Sequence, residues 1–324
     1  DQFVEAEQEY RRVFALFDKL APQAADQDAL LPELAKTHAG LADLLAATSK
    51  RTQAEEQYRK SLAAAEKALG LNPDVLEHRV TQATVHARLG RLLRDVGKQA
   101  DSEKHYRQAV AIKEKLVAES PRIHDYRDSF AGSSCNLGNL LREVDRPAEG
   151  LVFYDKALDA LSPIFQTKSQ TPAQVKLLRN THWGRALAYH DLEKYAEAVK
   201  DCDAAIALSP PDERPKLRYL GAIFRLKAGQ VSEAVAEAEG LTKTKGWPPA
   251  VLVRLACIYA TASAKIPEKR KAHGDQAMAL LQQAIKGGFK DLAGLKGDEH
   301  LQSLRDRDDF KKLLADLEAK LGNK

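Results

Sequence analysis

The stretch that decides the fold is AEEQYRKSL, residues 54–62, because variants of it recur at one fixed spacing. AEQEYRRVF begins at residue 6, SEKHYRQAV at residue 102 and GLVFYDKAL at residue 150, so each word starts 48 residues from the next. The aromatic position and the small position four residues before it keep this step into a fifth copy: Tyr10, Tyr58, Tyr106, Tyr154 and Cys202, with Ala6, Ala54, Ser102, Gly150 and Ala198. A period of this length indicates one supersecondary unit stacked on copies of itself.

The apolar residues inside each unit recur at helical spacing. Between residues 85 and 96 they form a broad stripe along one face of a helix, which Gly97 ends. A second stripe runs from residue 100 to residue 116, and Pro121 ends the unit as Pro73 ends the one before it. No stretch shows the two-residue alternation that a half-buried strand requires. The pattern therefore predicts repeated helix–turn–helix units.

The composition is that of a helical protein without a strong overall charge. The 324 residues are 44% hydrophobic and 30% charged, with a net charge of +4, so binding to nucleic acid would need a local basic patch. The three cysteines lie far apart and form no CxxC pair, which favours a reducing, cytoplasmic setting and a structural role. No apolar run approaches the ~20 residues that cross a bilayer, so we expect no membrane partner.

Motifs of catalysis and of cofactor or metal binding are missing from the sequence. It contains no glycine-rich phosphate loop, no GxSxG, no HExxH and no cysteine ligand pair. His38, His86 and His182 share one position in their units, which favours packing at repeat junctions over metal ligation. We therefore expect no catalytic residues, no cofactor and no metal site.

The order of small and aromatic residues resembles the tetratricopeptide repeat. That family has a small residue in the first helix, another early in the second, and then an aromatic and a further small residue. The third and fourth units fit this order with Gly138, Gly150, Tyr154 and Ala157, and with Ala186, Ala198, Cys202 and Ala205. The earlier, longer units resemble the repeats of kinesin light chains. The resemblance implies an all-α, right-handed superhelical solenoid of antiparallel helix pairs, in which Tyr58, Tyr106 and Tyr154 are buried between helices.

The repeats divide the chain into three parts. We expect residues 1–24 to be the second helix of a truncated repeat, residues 25–297 a solenoid of about six helix pairs whose last pair is degenerate, and residues 298–324 a capping helix. The pairs are expected near residues 28–70, 75–119, 123–167, 172–208, 212–243 and 248–286, and the terminal helix near 299–320. Because the first repeat lacks its first helix, we expect a piece of a longer polypeptide. The C-terminal end resembles that of tetratricopeptide-bearing serine/threonine kinase proteins of planctomycete-type bacteria.

The first helix of each unit lines the concave groove in tetratricopeptide arrays, and this resemblance points to a candidate ligand surface. Alignment of the units puts the following residues on the first helices: Arg88, Arg91 and Arg94 in the second unit, Asn136, Asn139 and Arg142 in the third, and Asn180 and Trp183 in the fourth. An asparagine amide can hold a peptide backbone because it has a donor and an acceptor, and arginine recognises carboxylates. The carboxylate clamp of some family members is matched only in part, because Ala39 and Asp43 stand where a lysine and an asparagine are needed.

These observations predict a non-enzymatic scaffold that binds a protein or peptide segment with acidic groups in its groove, as a regulatory region of a larger protein. The apolar stripe of the N-terminal helix, which includes Phe3, Val13 and Phe17, indicates that this helix leans on a preceding segment or self-associates. Three alternatives remain open: a nucleic-acid-binding solenoid, an oligomerisation module of a bacterial serine/threonine kinase, and a helical enzyme whose site only the fold creates. The first is disfavoured because no stacking aromatics accompany the arginines.

Overall fold

The computed structural model describes residues 2–20, 30–165, 170–244 and 246–322. In chain order the helices are α1 (Gln2–Leu20), α2 (Leu30–Ala47), α3 (Arg51–Leu71), α4 (Leu76–Asp95), α5 (Gln99–Glu119), α6 (His124–Glu143), α7 (Pro147–Phe165), α8 (Pro172–Asp191), α9 (Tyr195–Ala207), α10 (Arg214–Lys227), α11 (Val231–Thr242), α12 (Pro249–Lys265), α13 (Arg270–Lys286), α14 (Leu292–Gly297) and α15 (Asp308–Gly322). Two short 3₁₀ helices, Pro267–Lys269 and Glu299–Leu304, complete the order. The described residues contain no β-strand, so the fold is an all-α helical repeat solenoid.

Five pairs of consecutive helices pack together within the described residues, as the sequence predicts: α2 with α3, α4 with α5, α6 with α7, α10 with α11, and α12 with α13. The prediction of a single helix near residues 299–320 is wrong. Its first part is the 3₁₀ helix Glu299–Leu304, which Asp298 begins by accepting a hydrogen bond from the backbone N–H of His300 at 2.9 Å. A turn follows, and α15 starts only at Asp308. The chain divides into two compact units, residues 1–188 and 189–324, here called the N-terminal and C-terminal units.

The turns after α2, α4, α6 and α8 each contain a residue with left-handed backbone, and these four residues again lie 48 apart. They are Ser49, Gly97, Asp145 and Glu193, with φ of 61°, 79°, 61° and 58°. The next residue returns its N–H to the carbonyl five positions earlier, as in Lys98 to Leu93 at 2.8 Å. Only Gly97 lacks the Cβ that is strained in this conformation. Ser49, Asp145 and Glu193 adopt it as well, so the position in the repeat fixes the turn, and not the presence of glycine alone.

The repeating tyrosines are buried between helices, which confirms the prediction. Tyr58, Tyr106 and Tyr154 are at most 1% exposed. A Cβ added to Gly138 would lie 3.0 Å from the ring of Tyr154, and Gly90 faces Tyr106 in the same way. The small position before each tyrosine is also explained, since a Cβ on Gly150 would come within 2.9 Å of the Gly138 carbonyl oxygen. Close helix approach therefore selects both kinds of small residue.

Successive long repeats are also joined by a repeated ion-pair triad. Glu55 of α3 accepts from Arg59 at 2.9 Å and from Lys98, at the turn of the next repeat, at 2.8 Å. The equivalent triads are Glu7 with Arg11 and Lys50, and Glu103 with Arg107 and Arg146. Burial alone would raise the pKa of Glu55, but the two cations outweigh it and hold this pKa below its usual value. The series stops where Leu151 takes the place of the glutamate.

Helix α1 packs on α2 through Tyr10 and Phe14, and the Phe14 ring lies 4.4 Å from that of His38. Its other face is open: Val13 is 36% exposed and Leu20 is 50% exposed. The residues at the positions of Val13 in complete pairs, Ser61 and Ala109, are fully buried. What covers this face of α1 stays a prediction.

The core of the C-terminal unit is larger and almost wholly apolar. Buried leucines and alanines of α10 to α13 continue into Leu301 and Leu304 of the 3₁₀ helix and Phe310 of α15. The terminal segment therefore closes the apolar core of the last pair. Among the described residues no single helix is long and apolar enough to cross a membrane, and the pair Pro249–Lys265 and Pro267–Lys286 reaches those limits only when counted together across a 120° bend.

Candidate functional site

The first helices of the N-terminal unit form a continuous face, because α2 contacts α4 and α4 contacts α6. We call this the first-helix face. It carries a charged cavity of about 480 Å³ between α2 and α4. The cavity is lined by Asp43, Ala46, Ala47, Tyr58, Arg88, Arg91, Leu92 and Asp95. The structure thus brings two of the predicted arginines into one recess.

One side of the charged cavity is already organised by internal hydrogen bonds. Arg88 donates to Asp43 Oδ2 at 2.6 Å, and the buried Tyr58 hydroxyl donates to Asp43 Oδ1. Burial of Tyr58, together with its bond to Asp43, raises the pKa of this phenol. Arg88 is therefore fixed in position, and part of its charge is neutralised by Asp43.

The other side of the cavity holds two charges that face solvent. Arg91 and Asp95 are exposed, and within the described chain neither side chain makes a hydrogen bond or an ion pair. An unpaired guanidinium in a recess can form a two-pronged contact with a carboxylate without breaking a pre-existing pair. Arg91 is thus the best-placed ligand contact of the predicted set.

A smaller recess of about 260 Å³ continues the face along α2 and α4. Lys36, Glu77, Thr81 and Thr84 line it, and it shares Arg88 with the charged cavity. Lys36 is held by Glu33 at 3.1 Å and lies 3.5 Å from Glu77. Ala39, Val80 and Val85 also line the smaller recess, and the shared Arg88 shows that the two recesses adjoin on the first-helix face.

On α6 the predicted asparagines lie at the same face but are partly used by the fold. Asn139 Oδ1 accepts from the buried Tyr154 hydroxyl at 2.7 Å, and its amide nitrogen lies 3.8 Å from the Cys135 sulfur. Asn136 is half-buried and Arg142 is half-buried beside them. Asn139 keeps acceptor and donor capacity for a ligand, but its position depends on Tyr154.

The remaining predicted contacts are Arg94, Asn180 and Trp183. Arg94 forms two hydrogen bonds with Glu143, at 2.7 and 2.5 Å, which tie α4 to α6. Asn180 is exposed, with its Oδ1 3.5 Å from Arg179, and Trp183 is half-buried on α8. The assignment of the eight residues as ligand contacts stays a prediction. Sequence reasoning missed Asp43 and Asp95 as cavity residues, although Asp43 occupies the same register as Arg91 and Asn139.

Buried His86 of α4 and half-buried His105 of α5 form a pair. The Nδ1 atoms of His86 and His105 are 2.9 Å apart, and His86 is 2% exposed. Burial, and then the neighbouring His105, lowers the pKa of His86 to about 4. In the first repeat the equivalent pair is His38 with Gln57, at 2.7 Å. These contacts agree with the predicted packing role of His38 and His86.

The C-terminal unit has a cavity of its own, of about 460 Å³, which we call the apolar cavity. It is lined by His190, Tyr219, Leu220, Ile223, Leu226, Lys227, Arg254, Cys257, Asp298, Glu299 and His300. A third cavity, of about 830 Å³, lies between α1, α2 and α3. Leu30, the first described residue after residues 21–29, lines that cavity, and we assign no ligand to it.

The comparison with known families agrees with this geometry. One family profile described as tetratricopeptide repeat matches residues 37–78 and 87–122, and a second with the same description matches residues 180–212. These segments coincide with helix pairs in the structure and with the register of small and aromatic residues. These three segments of the chain are tetratricopeptide repeats. Members of this family are generally non-catalytic and bind other proteins or peptides.

Several solved structures are similar to this repeat protein. A signal transduction ATPase with numerous domains and a tetratricopeptide repeat sensor, from Pyrococcus horikoshii, has a TM-score of 0.57 and 12% identity, covering 86% of this chain and 39% of that one. BtubC (BKLC) from P. vanneervenii has a TM-score of 0.49 and 14% identity, and the match covers 92% of this chain and 94% of that one. A kinesin light chain protein with nearly identical TPR-like repeats, from Podosopora anserina, has a TM-score of 0.46 and 20% identity. The match covers 64% of this chain and 98% of that one. No curated protein matches the sequence.

Proposed function

We propose that this repeat protein is a non-enzymatic scaffold whose first-helix face binds an extended segment of a partner protein that carries acidic side chains. The observation that supports this most is the charged cavity, where Arg91 is exposed and unpaired beside the fixed Arg88. A carboxylate of the partner would bind Arg91, and the backbone of the segment would continue toward Asn136 and Asn139 on α6. Tetratricopeptide repeat proteins bind proteins or peptides in general, which supports the class of partner.

The pairing of the other arginines favours a protein segment over nucleic acid. Arg88 is engaged by Asp43 and Arg94 by Glu143, so the arginine ladder is interrupted by carboxylates. A backbone-tracking site for nucleic acid needs a positive groove with stacking aromatics. We also place the protein in the cytoplasm, a proposal supported by its three unpaired, buried cysteines.

The proposal is tested by selection of ligands from a random 12-residue peptide library displayed on phage. The library is panned separately on the wild-type protein and on Arg91→Ala. A peptide enriched on the wild type is then titrated against both proteins by fluorescence anisotropy. We expect acidic residues to be enriched, and Arg91→Ala to weaken binding about fivefold to 100-fold, because a charge-assisted hydrogen bond contributes about 1–3 kcal/mol. The salt dependence of binding should fall in the same variant.

Arg12→Ala is the matched control, since Arg12 is a well exposed arginine on α1 that, among the described residues, pairs only with Glu9. It should bind the enriched peptide as the wild type does. Equal binding by wild type and Arg91→Ala would contradict the proposal. Asn139→Ala is a second test, expected to weaken binding by about 1–3 kcal/mol, but it also removes the bond to Tyr154 and needs a melting curve beside it.

A further inference from the structure

The turn between α12 and α13 is built differently from the turns after α2, α4, α6 and α8. Its residues 265–271 contain a 3₁₀ helix, Pro267–Lys269, in place of a left-handed residue, and none of them has a positive φ. Ile266 is half-buried against the core of the C-terminal unit and anchors the turn. Four cationic side chains are exposed around it, and we call them the basic turn: Lys265, Lys269, Arg270 and Lys271.

The cations of the basic turn are not neutralised by the described part of the chain. None of the four side chains forms a hydrogen bond or an ion pair there. The turn contains one carboxylate, Glu268, so residues 265–271 have a formal charge of +3. Asp275, one helical turn further along α13, is already held by Arg307 at 2.7 Å. The basic turn is therefore a local excess of positive charge on a protein whose overall charge is weak.

The N-terminus of α13 also departs from the pattern of other second helices. The third residue is acidic in four of them: Asp101 in α5, Glu149 in α7, Glu197 in α9 and Glu233 in α11. In α13 this position is Ala272, and Lys269, Arg270 and Lys271 come directly before it. The helix dipole disfavours cations at this end and favours anions. These charges therefore oppose folding, and such departures are expected at functional sites.

A phosphate group on a partner protein fits the charge and the geometry of this surface. The first backbone N–H groups of a helix have no partner within the helix, and Arg270 and Lys271 lie in the first turn of α13. A phosphate dianion accepts several charge-assisted hydrogen bonds at once, and an arginine binds it through two parallel ones. A single carboxylate has less charge and fewer acceptor oxygens, so it would use only part of the basic turn.

Two other anionic partners fit this surface less well. Binding of single-stranded nucleic acid uses aromatic side chains for base stacking, and residues 265–271 contain none. Adsorption to a membrane is strengthened by exposed apolar side chains beside the cations, but Ile266, the large apolar residue of the turn, is packed against the core. A phosphorylated protein segment needs neither feature.

We propose that the basic turn is a docking surface for a phosphorylated segment of a partner protein. The phosphate group binds Arg270, Lys271 and the N-terminus of α13, and Lys265 and Lys269 add positive charge around it. This surface is separate from the charged cavity, because the basic turn belongs to the C-terminal unit and the cavity to the N-terminal unit. It makes the binding of this partner conditional on phosphorylation.

The test uses full-length protein that carries Arg91→Ala, so that ligands of the charged cavity are disfavoured. Degenerate 12-residue peptides with a central phosphoserine are passed over the immobilised protein, and the bound peptides are identified by mass spectrometry. One enriched peptide is then titrated by fluorescence anisotropy in its phosphoserine and serine forms. The variants are Arg270→Gln/Lys271→Gln and Ala272→Glu, which copies the acidic third residue of the other second helices. Lys311→Gln/Lys312→Gln, at two exposed lysines of α15, is the matched control.

We expect the phosphoserine form to bind about tenfold more tightly than the serine form, because the phosphate adds charge-assisted hydrogen bonds. Arg270→Gln/Lys271→Gln should remove most of this difference. Ala272→Glu should weaken binding of the phosphoserine form about threefold to tenfold, because it places a carboxylate beside the phosphate. The control should bind as its parent does. Both variants of the basic turn should keep or raise the melting temperature, since they make the N-terminus of α13 less positive.

Failure to enrich any phosphopeptide would overturn the proposal, as would a phosphate preference that survives in Arg270→Gln/Lys271→Gln. A lower melting temperature in that variant would show that the cations serve the fold instead. A random-sequence DNA duplex and phosphatidylserine vesicles are titrated as well. Tighter binding of either than of the phosphopeptide, lost in the same variant, would assign the basic turn to another class of partner and contradict the proposal. None of these results bears on the Arg91 test.

Discussion

The long repeats of the N-terminal unit and the shorter repeats of the C-terminal unit solve the same packing problem with different side chains. In the long repeats a buried tyrosine fills each pair, and a Glu–Arg–Lys/Arg triad joins it to the next. In the C-terminal unit Cys202 takes the tyrosine position and the large core is built almost entirely from apolar residues. The long repeats thus share a recurring triad of charges at their junctions, whereas the short ones have single ion pairs, such as Arg225 with Asp203, beside an apolar core.

This difference extends to the cavities. The recess between α2 and α4 contains Asp43, Arg88 and Arg91, while its counterpart between α10 and α12 contains Ile223 and Cys257. One architecture therefore presents a charged and an apolar surface by changing a few residues in the same register. Because each unit contacts mainly its neighbours in a solenoid, such local changes do not require a new fold.

The largest expected effect is a difference in stability between substitutions at the tyrosine position of a long repeat and at the equivalent Cys202. Tyr106→Ala should destabilise the protein by about 3–5 kcal/mol, as for a large aromatic lost from a core, whereas Cys202→Ala should cost about 1 kcal/mol, because little volume is removed. Urea denaturation of both variants measures this. Tyr106→Phe is the control: the Tyr106 hydroxyl makes no hydrogen bond of good geometry, so its removal should be neutral. Equal losses in Tyr106→Ala and Cys202→Ala would remove the distinction between the units.

Within the N-terminal unit, one repeat has a buried lysine where the next has a leucine. Lys113 of α5 is 6% exposed and donates to Ser133 Oγ at 2.8 Å, at a position where α7 has Leu161. Burial, and then the charge of Arg88, lowers its pKa to about 8. A folded pKa below the unfolded one means that stability falls as pH drops from about 10.5 to about 8. Lys113→Met should therefore stabilise the protein at pH 7 by about 1–3 kcal/mol and flatten its pH dependence between pH 8 and 10. A loss of stability in this variant would show that the lysine is needed.

The histidine pair predicts an acid sensitivity of the second repeat. The pKa of His86 is about 4 in the folded state, against ~6.5 when unfolded, so the unfolded state binds protons first as pH falls. About 2 kcal/mol of stability should be lost between pH 7 and pH 5. His105→Gln copies Gln57 of the first repeat and should reduce this loss, because it removes the second imidazole but keeps the burial. Chemical denaturation at both pH values measures it, and an unchanged loss in His105→Gln would contradict the account.

The smallest effect concerns the turn residues. Glu193 holds φ of 58° where the second repeat has Gly97. Glu193→Gly should stabilise by about 0.5–1 kcal/mol, because the left-handed conformation strains a residue with a Cβ. Gly97→Ala should cost a similar amount. Melting curves of the two variants check the opposite signs, and a destabilised Glu193→Gly would mean that its side chain contributes more than the strain.

The sequence predicted the helix pairs and the buried tyrosines because both depend on register alone. It did not reveal the Glu55–Lys98 contact, since the two residues lie in adjacent repeats and nothing in a single sequence marks their approach. The terminal segment was predicted as one helix because its apolar residues are spaced helically. The structure breaks it at residues 305–307, between the 3₁₀ helix that Asp298 begins and α15, which starts at Asp308. The sequence did not predict that Asp43 and Asp95 line the charged cavity, because this follows from the packing of α2 against α4.

The most direct test of the account is hydrogen–deuterium exchange of the wild-type protein with and without an acidic peptide enriched on it by the phage selection. The account predicts slower exchange in the first helices α2, α4 and α6, centred on residues 88–95, with the second helices α3 and α5 unchanged on their outer faces. The same peptide should leave the exchange of Arg91→Ala almost unaffected. Protection confined to α3 and α5, or to α1, would contradict the claim that the first-helix face binds the partner.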